Sequence, residues 1–384
     1  MKINLILPEL SMHGGIRVIA SYAEQLRRRG HDVFVVSQAS EWANYFRLRS
    51  KFKALLTGKG WPAYQPPRDA PSHFDQFPLR RLALDRSRPV ENRDLPDADV
   101  VVATWWETAE WVARLSPAKG AKAYFIQQYE ANFDQPADRV DATWRLPLHK
   151  IVAAQWLADF ARDRFGISNV SVSSNGIDVG FFDAEPRDKQ LRPTVGLMYS
   201  PHPPKSWPTA LAVLIQASRV LPDLRIRLFG ISEPLSWLPL PPGAEYERLP
   251  SQERIREIYS GCDAWLCTSS SEGFHLPPHE AMACRCPVVS TRVGGPMDLV
   301  NDGVNGFLAE PFDAVTLTDR LVRVLTMNER EWRAMSDAAY NEARRHTWEL
   351  ATDRFEQGLL DAIASAAPRS SESVTRSVVQ PSRS

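Results

Sequence analysis

Two glutamates separated by seven residues stand in Ser269-Ser270-Ser271-Glu272-Gly273-Phe274-His275-Leu276-Pro277-Pro278-His279-Glu280-Ala281-Met282-Ala283. Pro277 and Pro278 suit the entrance of a helix, because the first turn needs no partner for the N–H that proline lacks. A helix is therefore predicted from about Pro278 to Cys284, opening just after a loop. The unpaired amides of such an opening favour a phosphate or a network of sugar hydroxyls, and Gly273 permits positive φ and close ligand approach. Glu280, near the start of the helix, is placed to accept from a ribose diol. A structural reading stays open beside this one, in which Glu280 answers the helix dipole and Glu272 caps the loop.

These residues need a scaffold, and the chain supplies alternating apolar runs and amphipathic stretches almost throughout. That alternation predicts βαβ units, hence an α/β fold with parallel sheets covered by helices on both faces. The first unit reads as a strand over Ile3–Leu7, a loop through His13-Gly14-Gly15, a helix over Ile16–Arg29 with Gly30 after its end, and a strand over Val33–Val36. Further strands are predicted at Val100–Ala103, Ala123–Ile126, Lys150–Ala153 and Val170–Ser173, with a helix over Gln155–Phe165. A fresh start at Thr194-Val195-Gly196-Leu197-Met198-Tyr199 follows a polar, proline-containing stretch. The division expected is a first Rossmann-like lobe over 1–190, a second over 191–345, a helix over 346–365 packing back on the first lobe, and a disordered Ser-, Arg- and Pro-rich tail over 366–384. Two doubly wound sheets facing each other bind ligands at the carboxyl ends of their strands, which directs attention to the loops that follow strands.

Those loops carry further polar and aromatic residues. Gly14 and Gly15 bare the backbone at a helix start, though without the remaining glycines of a dinucleotide fingerprint. Trp105-Trp106-Glu107 and Gln127-Gln128-Tyr129-Glu130 offer rings for sugar faces and groups for sugar hydroxyls, or alternatively pack as core edges. Asp97-Ala98-Asp99 imitates a metal-binding pair, but it precedes a strand and so falls at the end of the sheet away from the cleft. Cys284 and Cys286 lack a second ligand pair, which favours buried thiols over zinc.

The glutamate motif, with Gly-Phe after Glu272 and Ala-Met after Glu280, resembles the donor motif of the retaining glycosyltransferases of family 4, and most of the chain is similar to that family. The similarity extends to Gly14-Gly15, Asn175-Gly176-Ile177-Asp178, Gly294-Gly295 and Asp302-Gly303-Val304-Asn305-Gly306-Phe307-Leu308. The resemblance implies the two-lobed GT-B fold and transfer of a hexose or deoxyhexose from a nucleotide-diphosphate sugar, with retention and without a cofactor or metal. It puts Glu272 beside the transferred sugar, the Gly273, Phe274, His275 and Leu276 segment at the sugar and diphosphate, Glu280 on the ribose and Lys205 on the leaving diphosphate. Gly14 and Gly15 join the donor site; Trp105, Trp106, Gln127, Tyr129 and Glu130 face the acceptor. Relatives hold an arginine five residues before the lysine, where this chain has Ser200; His202 is the substitute considered. The Phe125-Ile126-Gln127 and Tyr129-Glu130 run is similar to bacterial polysaccharide rhamnosyltransferases, which tilts the donor towards a deoxysugar; the acceptor expected is a saccharide or lipid-linked saccharide. A non-catalytic nucleotide-sugar-binding protein and a nucleotide-sugar epimerase are the alternatives.

Composition sets the outer limits. The 384 residues suit two lobes, 43% hydrophobic content allows each a core, and 46 basic residues against 46 acidic give no overall field for nucleic acid. The N-terminal apolar run is too short for a signal peptide, so a cytoplasmic location with reduced cysteines is expected. Between Trp42 and Trp61, Tyr45, Phe46, Phe52, Leu55 and Leu56 interleave with Arg47, Arg49, Lys51, Lys53 and Lys59. That stretch suits peripheral contact with an anionic inner membrane, or a helix covering the first sheet with its basic face in water.

Overall fold

Strands that are apolar without interruption must be covered on both faces, and both halves of this chain are built that way. The computed structural model describes residues 1–39, 71–133 and 135–366. In the first lobe these form β1 (Lys2–Leu7), β2 (Asp32–Ser37), β3 (Arg80–Ala83), β4 (Val100–Ala103), β5 (Ala121–Ile126), β6 (His149–Val152) and β7 (Val170–Val172). They make one parallel sheet in the order β3-β2-β1-β4-β5-β6-β7. The second lobe holds β8 (Thr194–Tyr199), β9 (Arg225–Gly230), β10 (Glu245–Arg248), β11 (Ala264–Cys267), β12 (Val288–Thr291) and β13 (Gly306–Ala309). Its parallel order is β10-β9-β8-β11-β12-β13. The strand order reverses between β1 and β4 in one sheet and between β8 and β11 in the other, and ligands of open α/β sheets bind at such points.

Two predicted helix starts shift. The first helix runs over Gly14–Arg28, because the His13 carbonyl accepts from both Ile16 and Arg17 and draws the two glycines into its first turn. Gly30, at φ 87°, follows its end. The helix expected from about Pro278 spans Leu276–Ala283, with both prolines inside its first turn. The Trp42–Trp61 segment and residues 367–384 lie outside the described residues. Among the described residues, no helix is long and apolar enough to cross a membrane.

The end of the chain completes the first lobe. Trp348, Ala351, Phe355, Leu359 and Ala362 of the Trp348–Ala366 helix are buried in the same core as β1, β5 and the Gly14–Arg28 helix. Tyr22 stacks on Phe355 with ring centroids 4.5 Å apart, and both meet Phe125 edge-on. The two crossings between lobes are tied together where the Ile177 N–H donates to the His346 carbonyl at 2.9 Å and Ile177 pairs with Thr347. Gly176 makes that approach possible, since a Cβ there would lie 2.4 Å from the Trp348 nitrogen. Gly176→Ala is expected to cost about 1–3 kcal/mol as an overpacking change, read as a lower midpoint in urea unfolding and as loss of hydrogen-exchange protection in the Trp348–Ala366 helix. An unchanged midpoint and unchanged protection would contradict this role.

Candidate functional site

The four loops at the two switch points carry most of the chemistry. After β1 come Gly14 and Gly15, after β4 comes Trp105, after β8 the Ser200–Lys205 segment, and after β11 the Glu272–Leu276 segment. The Leu276–Ala283 helix opens at His275, which sits at φ 64° and ψ 79° and makes no side-chain cap. The Gly14–Arg28 helix opens at His13, also without a side-chain cap. Both helix starts therefore present amides and the positive end of a dipole.

Glu272 is the charged centre. Its side chain is 7% exposed, and Oε1 accepts from Lys205 Nζ at 2.5 Å and from Ser269 Oγ at 2.6 Å, with His275 Nε2 at 3.5 Å. Burial alone would raise this carboxyl, but His275, Lys205 and Ser269 outweigh it and hold the group below the ordinary value. Burial lowers His275 itself to about 4, so near neutral pH the imidazole is uncharged and Lys205 and Ser269 hold the carboxylate. The His275 Nδ1 atom is buried without a hydrogen-bond partner.

Glu280 lies one helical turn deeper and is 3% exposed. Its Oε1 accepts from Arg17 Nη2 at 2.6 Å across the cleft, and its Oε2 accepts from the Tyr259 hydroxyl at 3.0 Å. Arg17 and Tyr259 were not among the residues singled out from sequence. The one local signal was a cation in the opening turns of a helix, where the dipole disfavours it unless an anion answers.

Glycines bring the lobes together here. A Cβ on Gly273 would lie 1.8 Å from the Gln127 carbonyl oxygen of the first lobe, and one on Gly295 would lie 1.8 Å from the Phe274 carbonyl oxygen. The Gln127 amide reaches Gly15, 3.5 Å from where a Cβ would stand. Trp156 Nε1 donates to the Gly273 carbonyl at 3.0 Å, and Asn132 Nδ2 donates to Ser271 Oγ at 2.8 Å.

The structure thus gathers Gly14, Gly15, Gln127, Lys205, Glu272, Gly273, Phe274, His275, Leu276 and Glu280 around one cleft. Ser200 and His202 are spent locally, since the His202 N–H bonds Ser200 Oγ and the His202 side chain is exposed. Three acceptor candidates require correction. Trp106, Tyr129 and Glu130 are turned into the first lobe, 3%, 9% and 1% exposed, because Trp106 begins the Trp106–Arg114 helix on its buried side and Glu130 sits under the Tyr124 hydroxyl at 3.0 Å. Trp105 is partly buried against the same core. Asp97 and Asp99 stand at the far end of the sheet, on Lys119 and on the Lys2 amide. The four cysteines are buried, and among the described residues no three or more His, Cys, Asp or Glu side chains gather so as to hold a metal.

Two doubly wound lobes with a ligand cleft between their switch points define the GT-B fold. Over residues 246–342 the second lobe matches the family described as glycosyl transferases group 1. The chain is 30% identical over 218 residues to D-inositol 3-phosphate glycosyltransferase of Segniliparus rotundus, covering 51% of this chain and 47% of that protein. It is 27% identical over 292 residues to the O-antigen biosynthesis protein RfbC of Myxococcus xanthus, covering 73% and 22%. A sucrose synthase of Acidithiobacillus caldus is 35% identical over 117 residues, covering 29% and 15%. The chain spans less than half the length of each of these relatives. Among solved structures, HepE of Anabaena in complex with UDP-glucose superposes with a TM-score of 0.72 at 18% identity, covering 94% of this chain and all of that one. Sucrose-phosphate synthase of Thermosynechococcus elongatus gives 0.69 at 15% identity, covering 95% and 100%.

Glu130 provides a test of the first lobe. Burial raises its carboxyl to about 7 from an ordinary value of 4.5, so between these values the folded protein holds a proton there that the unfolded chain releases. Stability from this group is full below pH 4.5 and is lost as pH rises through 7, on the order of 3 kcal/mol in all. Glu130→Gln is expected to remove that slope, so that variant and wild type diverge between pH 5 and 7 in denaturant titrations. Parallel curves would show Glu130 ionised or solvated in the fold.

Proposed function

We propose that this chain is a retaining, metal-independent glycosyltransferase of family 4. It moves a hexose or deoxyhexose, with a tilt towards rhamnose, from a nucleotide-diphosphate sugar to a saccharide or lipid-linked saccharide in bacterial polysaccharide or glycolipid assembly, at the cytoplasmic side. The observation that carries this reading is the Lys205–Glu272 pair set at the opening of the Leu276–Ala283 helix, with Glu280 on the same helix. The group 1 match over 246–342 and the GT-B fold support it.

In this reading the acceptor hydroxyl attacks the anomeric carbon as the bond to the diphosphate oxygen breaks. Lys205 and the opening amides of the helix stabilise the charge that grows on the leaving diphosphate, a task a fixed cation performs without a metal. The acceptor proton passes to a phosphate oxygen on the same face, leaving a glycosylated acceptor and a nucleoside diphosphate. Glu272, already bonded to Lys205 and Ser269, holds the sugar and the lysine in place and forms no covalent bond to the substrate. Trp105 and Gln127 remain as acceptor-side contacts at the cleft. The rhamnose tilt rests on the likeness of the Phe125–Glu130 run to rhamnosyltransferases.

The test is a thermal-shift panel of nucleotide sugars followed by product analysis with and without saccharide acceptors. Lys205→Ala is expected to lower kcat by roughly 100- to 1000-fold, the scale for one lost charge-stabilising donor. Glu280→Ala is expected to raise the donor KM about tenfold or more, as loss of a charged hydrogen bond does. Near-unchanged kinetics in both variants would sink the assignment. An isomerised donor formed without acceptor would show an epimerase, and binding without turnover a non-catalytic binder.

A further inference from the structure

Among the described residues Lys205 is the lysine paired with Glu272 for a leaving group that carries two phosphates, and Ser200, at the place of the expected arginine, brings no charge and accepts from the His202 N–H. Arg17 of the first lobe reaches the Leu276–Ala283 helix from across the cleft. It sits in the opening turns of the Gly14–Arg28 helix, two residues after Gly15; its side chain is 25% exposed, and its guanidinium lies 5.9 Å from the centre of the Phe182 ring. One Nη2 hydrogen bond holds it on Glu280 Oε1 at 2.6 Å, while Tyr259 holds Oε2 at 3.0 Å. Both oxygens of the ribose-facing carboxylate are thus engaged, and the group is 3% exposed.

We propose that Arg17 is the second diphosphate cation of the donor site and that the ribose of the incoming nucleotide releases it from Glu280. The proposal rests on the donor-site reading above and adds to it a residue from the opposite lobe. A carboxylate only accepts, and a ribose diol brings donors, so the diol replaces the guanidinium at Oε1 with no loss of hydrogen bonding at Glu280. The freed guanidinium, which has five N–H donors in a fork that matches phosphate oxygens, lies beside the opening amides of its own helix, where an anion is favoured. Lys205–Glu272 and Arg17–Glu280 are two neutral pairs, and a guanidinium that leaves Glu280 carries its positive charge to the diphosphate. Nucleoside recognition and phosphate recognition are then coupled through a single side chain. A nucleoside without phosphates must displace Arg17 and give it no new partner.

The coupling gives Arg17→Ala opposite effects on two probes. Isothermal titration of uridine, thymidine, guanosine and adenosine against their diphosphates is the experiment, on wild type, Arg17→Ala and Arg17→Lys. For the base that wild type prefers, Arg17→Ala is expected to bind the nucleoside more tightly and the diphosphate tenfold or more weakly, the scale of one charge-assisted phosphate contact. Arg17→Lys, which keeps a cation, is expected to retain most of the diphosphate preference and guards against a folding defect in the alanine variant. Equal weakening of both probes in Arg17→Ala would overturn the proposal, since Arg17 would then only prop Glu280. Unchanged binding of both would overturn it as well. A wild-type protein that binds none of the diphosphates would overturn the donor-site reading itself, and this assignment with it.

Discussion

A carboxylate that is almost fully buried keeps its charge only if donors surround it, and Glu272 is held that way by Lys205 and Ser269. The rest of the second lobe can be read as the means of holding that pair. β11 delivers the Ser269–Glu272 segment, β8 delivers Lys205, and the two strands lie side by side at the point where the sheet order reverses. His275 takes a left-handed conformation that a glycine would adopt more easily, a strain of roughly 1–3 kcal/mol that the surrounding packing must sustain. Phe274 stacks on His279 with ring centroids 4.2 Å apart, which fixes the loop to its own helix.

The second constraint is the distance between lobes. Gly273 lets the Gln127 carbonyl reach the Glu272–Leu276 loop, and Trp156 and Arg17 bond to the same loop and helix from the first lobe. The cleft is therefore a place where both lobes share hydrogen bonds, with the tied crossings at Ile177 and His346 and the returning Trp348–Ala366 helix behind it.

The fold was legible in sequence where apolar runs were uninterrupted. The β4 and β8 strands and the Gln155–Phe165 helix fall on their predicted bounds, and β1 within one residue of its own. The edge strands β3 and β10 escaped because Arg80-Arg81-Leu82-Ala83 and Glu245-Tyr246-Glu247-Arg248 carry the charges that protect a sheet edge, which hide the apolar signal. The Glu272–Leu276 loop and its helix were readable because glycine, prolines and two acids sit close in the chain. Arg17 and Tyr259 were not, since they meet Glu280 from 263 and 21 residues away, and a cation in the opening turns of a helix does not name its partner. Following a strand does not by itself turn a side chain to the cleft: the loop after β4 is two residues long and the helix behind it turns Trp106 inward, while after β5 Tyr129 bonds Asp141 and Glu130 lies under Tyr124.

The central claim is that the Lys205–Glu272 pair and the two helix openings around it form the seat of a nucleoside diphosphate. A crystal structure with the nucleoside diphosphate that binds best tests this most directly. The account predicts a phosphate oxygen within hydrogen-bond distance of Lys205 Nζ, the ribose hydroxyls on Glu280 and the diphosphate between the Gly14–Gly15 and His275–Leu276 amides. A nucleotide seated elsewhere, with Lys205 still bonded only to Glu272, would contradict it.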